Sequence, residues 1–197
     1  YRHVALTRSN GIVKCFVDGT QYSFGTGADP SSFPNSTISF SNSITNIDQL
    51  YIGYEVYGQM EDFRFTNGLA RYPFIPLRET LTADADTKFL TGHASTITDG
   101  SDDNHTITVS GAIASGFGPR PGMNSISFDG SNDYLRCDAA LDWDEGPGHN
   151  FTIEGWAYFN TIGSVFEALV GINKASNGNN HLILGATSGD GFVIYWD

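Results

Sequence analysis

Apolar and polar residues alternate with a period of two over short runs bounded by glycine, asparagine, aspartate, serine or proline. That pattern predicts β-strands joined by tight turns. Val4 to Leu6 and Ile12 to Val17 flank Ser9-Asn10-Gly11 and predict a hairpin, with Asp18-Gly19 as the next turn. Tyr22 to Phe24, Ile38 to Phe40, Leu50 to Tyr54 and Gly58 to Phe65 predict further strands. From Thr66 to Lys88 the periodicity weakens and Pro73, Pro76, Glu79, Asp84 and Asp86 accumulate, so a linker is placed at residues 73–88. Strand runs resume with Thr106 to Val109, Ser125 to Phe128, Tyr134 to Cys137, Phe151 to Phe159, Ala168 to Ile172, His181 to Leu184 and Phe192 to Trp196. The prediction is an all-β protein without heptads or internal repeats.

Composition narrows the partners. Only 16% of the 197 residues are charged while 23 are glycine, a balance that suits many short strands. The formal charge is −12. It opposes nucleic acid and anionic membrane surfaces, because few Lys and Arg are present to displace counterions. Neutral glycans, cations and other proteins remain. No apolar run approaches the ~20 residues of a membrane span, so insertion is not expected. Cys15 and Cys137 lack the spacing of a zinc site and read as buried thiols, with one disulfide between them if their strands adjoin. The chain opens without Met on a strand-like run, which reads as a processed chain or a piece of a longer one.

Several stretches resemble the laminin-G-like branch of the concanavalin A-like lectin/glucanase superfamily, found among bacteriophage tail and virion proteins. Ser127-Phe128-Asp129-Gly130-Ser131-Asn132-Asp133-Tyr134-Leu135 is similar to the family's early strand–turn–strand, and Phe151-Thr152-Ile153-Glu154-Gly155-Trp156 to the strand that follows. The family's closing strands resemble Arg2 to Arg8, Phe16-Val17-Asp18-Gly19, Ile52-Gly53 and Gly58 to Phe65. The order is inverted. The resemblance therefore implies an antiparallel two-sheet jelly-roll sandwich whose C-terminal half is residues 1–72 and whose N-terminal half is residues 89–197. Either the halves pack together as one permuted domain, or each is completed by a neighbouring segment or subunit, because half a sandwich exposes its inner face and strand edges.

Asp129, Asn132 and Asp133 set three oxygen-bearing side chains around Gly130, as Ca²⁺ requires, although the same residues also suit plain turn geometry. Glu61 and Asp62 match an acidic pair that in some relatives lies near a structural Ca²⁺; the resemblance makes them metal candidates. Asp99, Asp102, Asp103 and Asn104 lack EF-hand spacing and read as a solvated acidic loop. Asp142, Trp143 and Asp144 combine an aromatic face with carboxylates, as a sugar site would, and Asn177, Asn179 and Asn180, with Asn173 and His181 beside them, supply amides for sugar hydroxyls. Tyr54, Tyr57 and Tyr72 lie near strand ends and are recognition candidates, whereas Trp156 and Trp196 fall inside strands and read as core.

Catalysis finds no support. Glycoside hydrolysis needs two carboxyl groups across the scissile bond, and the family's Glu-x-Asp-x-x-Glu strand is missing. Glu154 is alone in its strand and is expected to face solvent or tie to a basic neighbour. The expectation is a non-enzymatic module of a virion or extracellular surface fibre, assembling with neighbouring copies and binding surface glycans. The alternative is a soluble, calcium-assisted lectin; the remote one is a glycoside hydrolase.

Overall fold

The computed structural model describes residues 1–22, 38–39, 49–71, 80–116, 118, 123–138, 149–162, 167–173, 180–188 and 191–196. The described residues are all-β. The strands of the first segment are β1 (Arg2–Ser9), β2 (Ile12–Val17), β3 (Thr20–Tyr22), β4 (Ile38–Ser39), β5 (Gln49–Tyr54) and β6 (Tyr57–Asn67). Those of the second are β7 (Thr87–Thr91), β8 (Ile107–Ser110), β9 (Ile113–Ser115), β10 (Ser125–Asp129), β11 (Tyr134–Cys137), β12 (Phe151–Phe159), β13 (Glu167–Asn173), β14 (Asn180–Thr187) and β15 (Gly191–Trp196).

They form two antiparallel sheets in a sandwich. The larger runs β3-β2-β1-β12-β6-β10-β9, with β4 also on β2 and β7 also on β6. The smaller runs β15-β14-β13-β5-β11-β8. Strands from either side of residues 73–88 alternate in both: β12 lies between β1 and β6, and β5 lies between β13 and β11. No helix among the described residues is long and apolar enough to cross a membrane.

The predicted turns are there, for a local reason. Asn10 and Gly11 have φ of 49° and 77°, and Asp18 and Gly19 have 50° and 77°. Both pairs adopt the positive φ values of two-residue hairpin turns, which Asn, Asp and Gly tolerate. Register follows, with Ser9 opposite Ile12 and Val17 opposite Thr20. Alternate residues of the paired strands then meet between the sheets: Val4, Leu6, Val13 and Ile153 from the larger, Leu50, Ile52, Leu135 and Ile172 from the smaller. Cys15 and Cys137 join this core as free thiols, and burial pushes Cys15 up to about 12.

Two strands escape the pattern reading. β7 starts at Thr87, inside the stretch read as linker, and β9 is a three-residue run between glycines. Both are short, five and three residues, and are held by pairing to β6 and β10.

Strand β6 contains a bulge that decides where its acids go. Glu154 pairs with Arg64 and Trp156 with Glu61, so three steps along β6 match two along β12. Asp62, with φ of 52°, sits in the bulge. Glu61, Asp62 and Arg64 consequently all belong to the outer side of the sheet, while Met60, Phe63 and Phe65 stay in the core.

Candidate functional site

Three connections cross from one sheet to the other along a single rim: Glu55-Val56 between β5 and β6, Gly130 to Asp133 between β10 and β11, and Gly111-Ala112 between β8 and β9. Each relies on left-handed backbone, at Glu55 (61°), Gly130 (81°), Asn132 (67°) and Gly111 (69°). The acidic side chains fasten the turns. Asp129 Oδ1 accepts the Ser131 N–H at 2.8 Å, and Asp133 Oδ2 accepts the Asp129 N–H at 2.8 Å. Asp133 also closes on the next crossing, since a Cβ on Gly111 would lie 1.7 Å from its Oδ1.

Tyrosines line this rim. Tyr54 and Tyr57, at the two ends of the β5–β6 connection, are each 46% exposed. On the outer face of the smaller sheet the Tyr134 ring lies 5.6 Å from that of Tyr51 and 6.5 Å from that of Tyr54. Tyr57 pairs with Asp129 and packs against Gly130, which joins the aromatic row to the acidic turn. Polar groups continue the surface. Arg136, opposite Tyr51, bonds to Asp138 (Nε–Oδ2, 3.1 Å), and Gln49 Nε2 donates to Asp138 Oδ1 at 3.1 Å. A hydrogen bond with Tyr51 and then the charge of Asp138 raise Arg136 further above its already high value. The backbone of Asn173 and of Asn180 occupies the rung that Gln49 begins.

Tyrosine rings offer apolar faces with a polar tip, and here they are bordered by carboxylates, a guanidinium and an amide. That combination suits a ring-shaped ligand with apolar C–H faces and many hydroxyls.

The other sequence candidates have different fates. Asp129, Asn132 and Asp133 come together at the rim, with the two carboxylates committed to backbone N–H groups. Glu61 and Asp62 lie on the buried outer side of β6, where Asp62 Oδ2 accepts the Leu81 N–H at 3.1 Å. No group of three His, Cys, Asp or Glu side chains is gathered for a metal among the described residues.

Asp99 is not part of a solvated acidic loop, because its carboxylate is buried and accepts N–H bonds from Leu90 (3.0 Å), Ser101 (2.9 Å) and His105 (2.8 Å). Asp102 and Asp103 are exposed. Trp156 differs from its reading as core: it is half-buried on the outer side, its ring edge-on to His3 at 5.3 Å. Tyr72, Asp142, Trp143, Asp144, Asn177 and Asn179 lie outside the described residues. Of Asn180 and Trp196 only the backbone is described, at the start of β14 and the end of β15.

Glu154 ties to a basic neighbour and is also buried. Its Oε1 accepts from Arg64 Nε at 3.0 Å and its Oε2 lies 3.5 Å from His3 Nε2. Burial pushes the carboxyl upward, but the His3 hydrogen bond and the Arg64 charge outweigh it and hold Glu154 below the usual range. Arg64 Nη1 also donates to the Thr82 carbonyl, and Arg71 pairs with Asp84. These bonds, with Asp62 to Leu81, fasten residues 80–84 across the outer face.

Sequence reasoning missed Tyr51, Tyr134, Arg136, Asp138 and Gln49. One signal was available: in Gln49-Leu50-Tyr51-Ile52, the core positions Leu50 and Ile52 imply that Gln49 and Tyr51 share the opposite face. No family model, no curated protein and no solved structure matches the chain.

Proposed function

We propose that this chain is a non-enzymatic adhesive module of a virion or extracellular surface fibre, which holds neutral glycans at its tyrosine-lined rim and assembles with neighbouring copies. The carrying observation is the row Tyr51, Tyr134, Tyr54 and Tyr57 beside the Asp129–Asp133 turn. A charge of −12 favours neutral over acidic sugars. The interleaving of early and late strands supports a single jelly roll with its halves in inverted order, of the concanavalin A-like, laminin-G-like kind. The non-enzymatic reading draws on how the carboxylates are used. Glu154 is engaged by Arg64 and His3, and Asp62, Asp99, Asp129 and Asp133 by backbone N–H groups, whereas glycoside hydrolysis needs two carboxyl groups facing a bound sugar.

A neutral-glycan array should find ligands for the wild type, and Tyr54→Ala and Tyr134→Ala should each weaken the best of them about tenfold, roughly 1.4 kcal/mol. Tyr54 is 46% exposed and lies outside the core, so its truncation should leave the melting temperature within a few degrees. Failure of the wild type to bind any neutral glycan, or equal binding by a Tyr54→Ala/Tyr134→Ala double variant, would remove the adhesive reading.

A further inference from the structure

Tyr57 joins the rim to a second aromatic surface, on the outer side of the larger sheet. In the register of that sheet Tyr158 lies opposite Gln59, and Gln59 lies opposite Ser127. Their strand neighbours Ala157, Met60, Ile126 and Phe128 are in the core, so these three side chains point outward. Tyr1, which precedes β1, extends the rung: its ring stacks on that of Tyr158 at 4.9 Å and its hydroxyl donates to Gln59 Oε1. Tyr158 is 40% exposed, and Tyr1, Gln59 and Ser127 are half-buried. Tyr57 stands two residues from Gln59 on the same face of β6.

The chemistry of this rung matches that of the rim. Stacked phenol rings offer a flat apolar face, and the Gln59 amide lies beside them with its oxygen taken by Tyr1 and its Nε2 making no hydrogen bond among the described residues. An unspent amide donor next to a ring face suits a sugar, which stacks its C–H face and offers hydroxyl oxygens as acceptors. A purely apolar partner would bury that donor unpaired, at a cost. The surface is also long. From Tyr134 and Tyr54 over Tyr57 to Tyr158 and Tyr1 it crosses the space between the sheets and then the two strand spacings from β6 to β1, about 10 Å each. A path of roughly 20 Å takes several sugar rings in line.

We propose that the rim and the face formed by Tyr57, Gln59, Tyr158 and Tyr1 are one continuous platform, and that its ligand is an extended stretch of a neutral polysaccharide, not a single terminal sugar. This rests on the glycan-binding part of the function proposed above and specifies the size and class of the ligand. Tyr51, Tyr134 and Tyr54 hold one end of the stretch. Tyr158 and Gln59 hold sugars further along, the ring by stacking and the amide by donating to a hydroxyl.

Calorimetric titration with linear oligomers, from disaccharide to hexasaccharide, of the neutral sugar that binds best on the array tests it. For the wild type the hexasaccharide should bind about tenfold more tightly than the disaccharide, the worth of one added stacking contact. Tyr158→Ala should remove that gain, and Tyr158→Phe, which keeps the ring, should retain it. If Tyr158→Ala fails to fold, Gln59→Ala decides: it keeps both rings, removes the amide donor and should cut the gain about threefold. Equal affinity across the size series, or a gain that survives these substitutions, would overturn the proposal and leave the rim reading standing. A gain left intact while Tyr158→Ala converts an oligomer to a monomer in sedimentation velocity would make this face a contact between copies, and the proposal falls then too. A wild type that binds no neutral glycan removes the rim reading, and this one with it.

Discussion

Replacing Glu154 with alanine should cost about 3–5 kcal/mol, the range for removing one partner of a buried ion pair. Glu154 and Arg64 are 5% and 7% exposed, and His3 is 3% exposed beside them. Without the carboxylate, the guanidinium stays in its pocket with its charge unmatched, and the hold of Arg64 on the Thr82 carbonyl loses its support. Urea denaturation of wild type and variant gives the number. A difference under about 1 kcal/mol would mean that water reaches Arg64 freely, as it does at exposed pairs.

The same residue carries a pH dependence. Its folded value lies below its unfolded one, so the unfolded chain binds the proton more readily. Its contribution is fully present above the usual glutamate range and is lost as pH falls through the lowered folded value. Wild-type stability should thus fall through the acid range more steeply than that of Glu154→Gln, which has no proton to bind there. Parallel curves for the two proteins would assign the acid sensitivity elsewhere.

Gly53→Ala is expected to be as damaging, by a different route. Gly53 has φ of +78°, and a Cβ built there would meet the Phe128 ring at 2.2 to 2.6 Å. The left-handed conformation costs an alanine about 1–2 kcal/mol, and forcing a methyl into a filled core costs about 1–3 kcal/mol more. Phe128 cannot swing aside, being 2% exposed in the core. A loss of roughly 2–5 kcal/mol should appear as a lower urea midpoint, with Tyr54 and Tyr134 displaced and glycan binding weakened alongside stability. Gly68→Ala is the control: its φ is +82° but nothing lies within 4 Å of the new methyl, so only the backbone cost should remain. Equal losses at the two positions would show that contact with Phe128 is unimportant.

The contrast between these glycines marks how far the residues could be read in isolation. Ile52-Gly53 was picked out as a motif, yet its spacing carries no sign that the glycine faces a phenylalanine from β10. Similarly, Glu154 was placed in its strand with a basic neighbour as one expectation, but the neighbour's identity depended on β12 lying against both β1 and β6. Tyr54 and Tyr57 were visible as strand-end tyrosines. Their company of Tyr134 and Arg136 was not, because those residues join them only once β5 and β11 pair.

Local chemistry written along the chain determined most of the strands, the hairpins at Asn10-Gly11 and Asp18-Gly19, and the all-β class. Alternation and left-handed turn residues act between neighbours, within a few positions of each other. The tertiary structure alone decided that early and late strands interleave, that the bulge at Asp62 turns two acids outward, and that the tyrosines share a rim with Asp129 and Asp133. Those outcomes depend on which apolar faces cover one another, a competition among distant segments that no short stretch of residues encodes by itself.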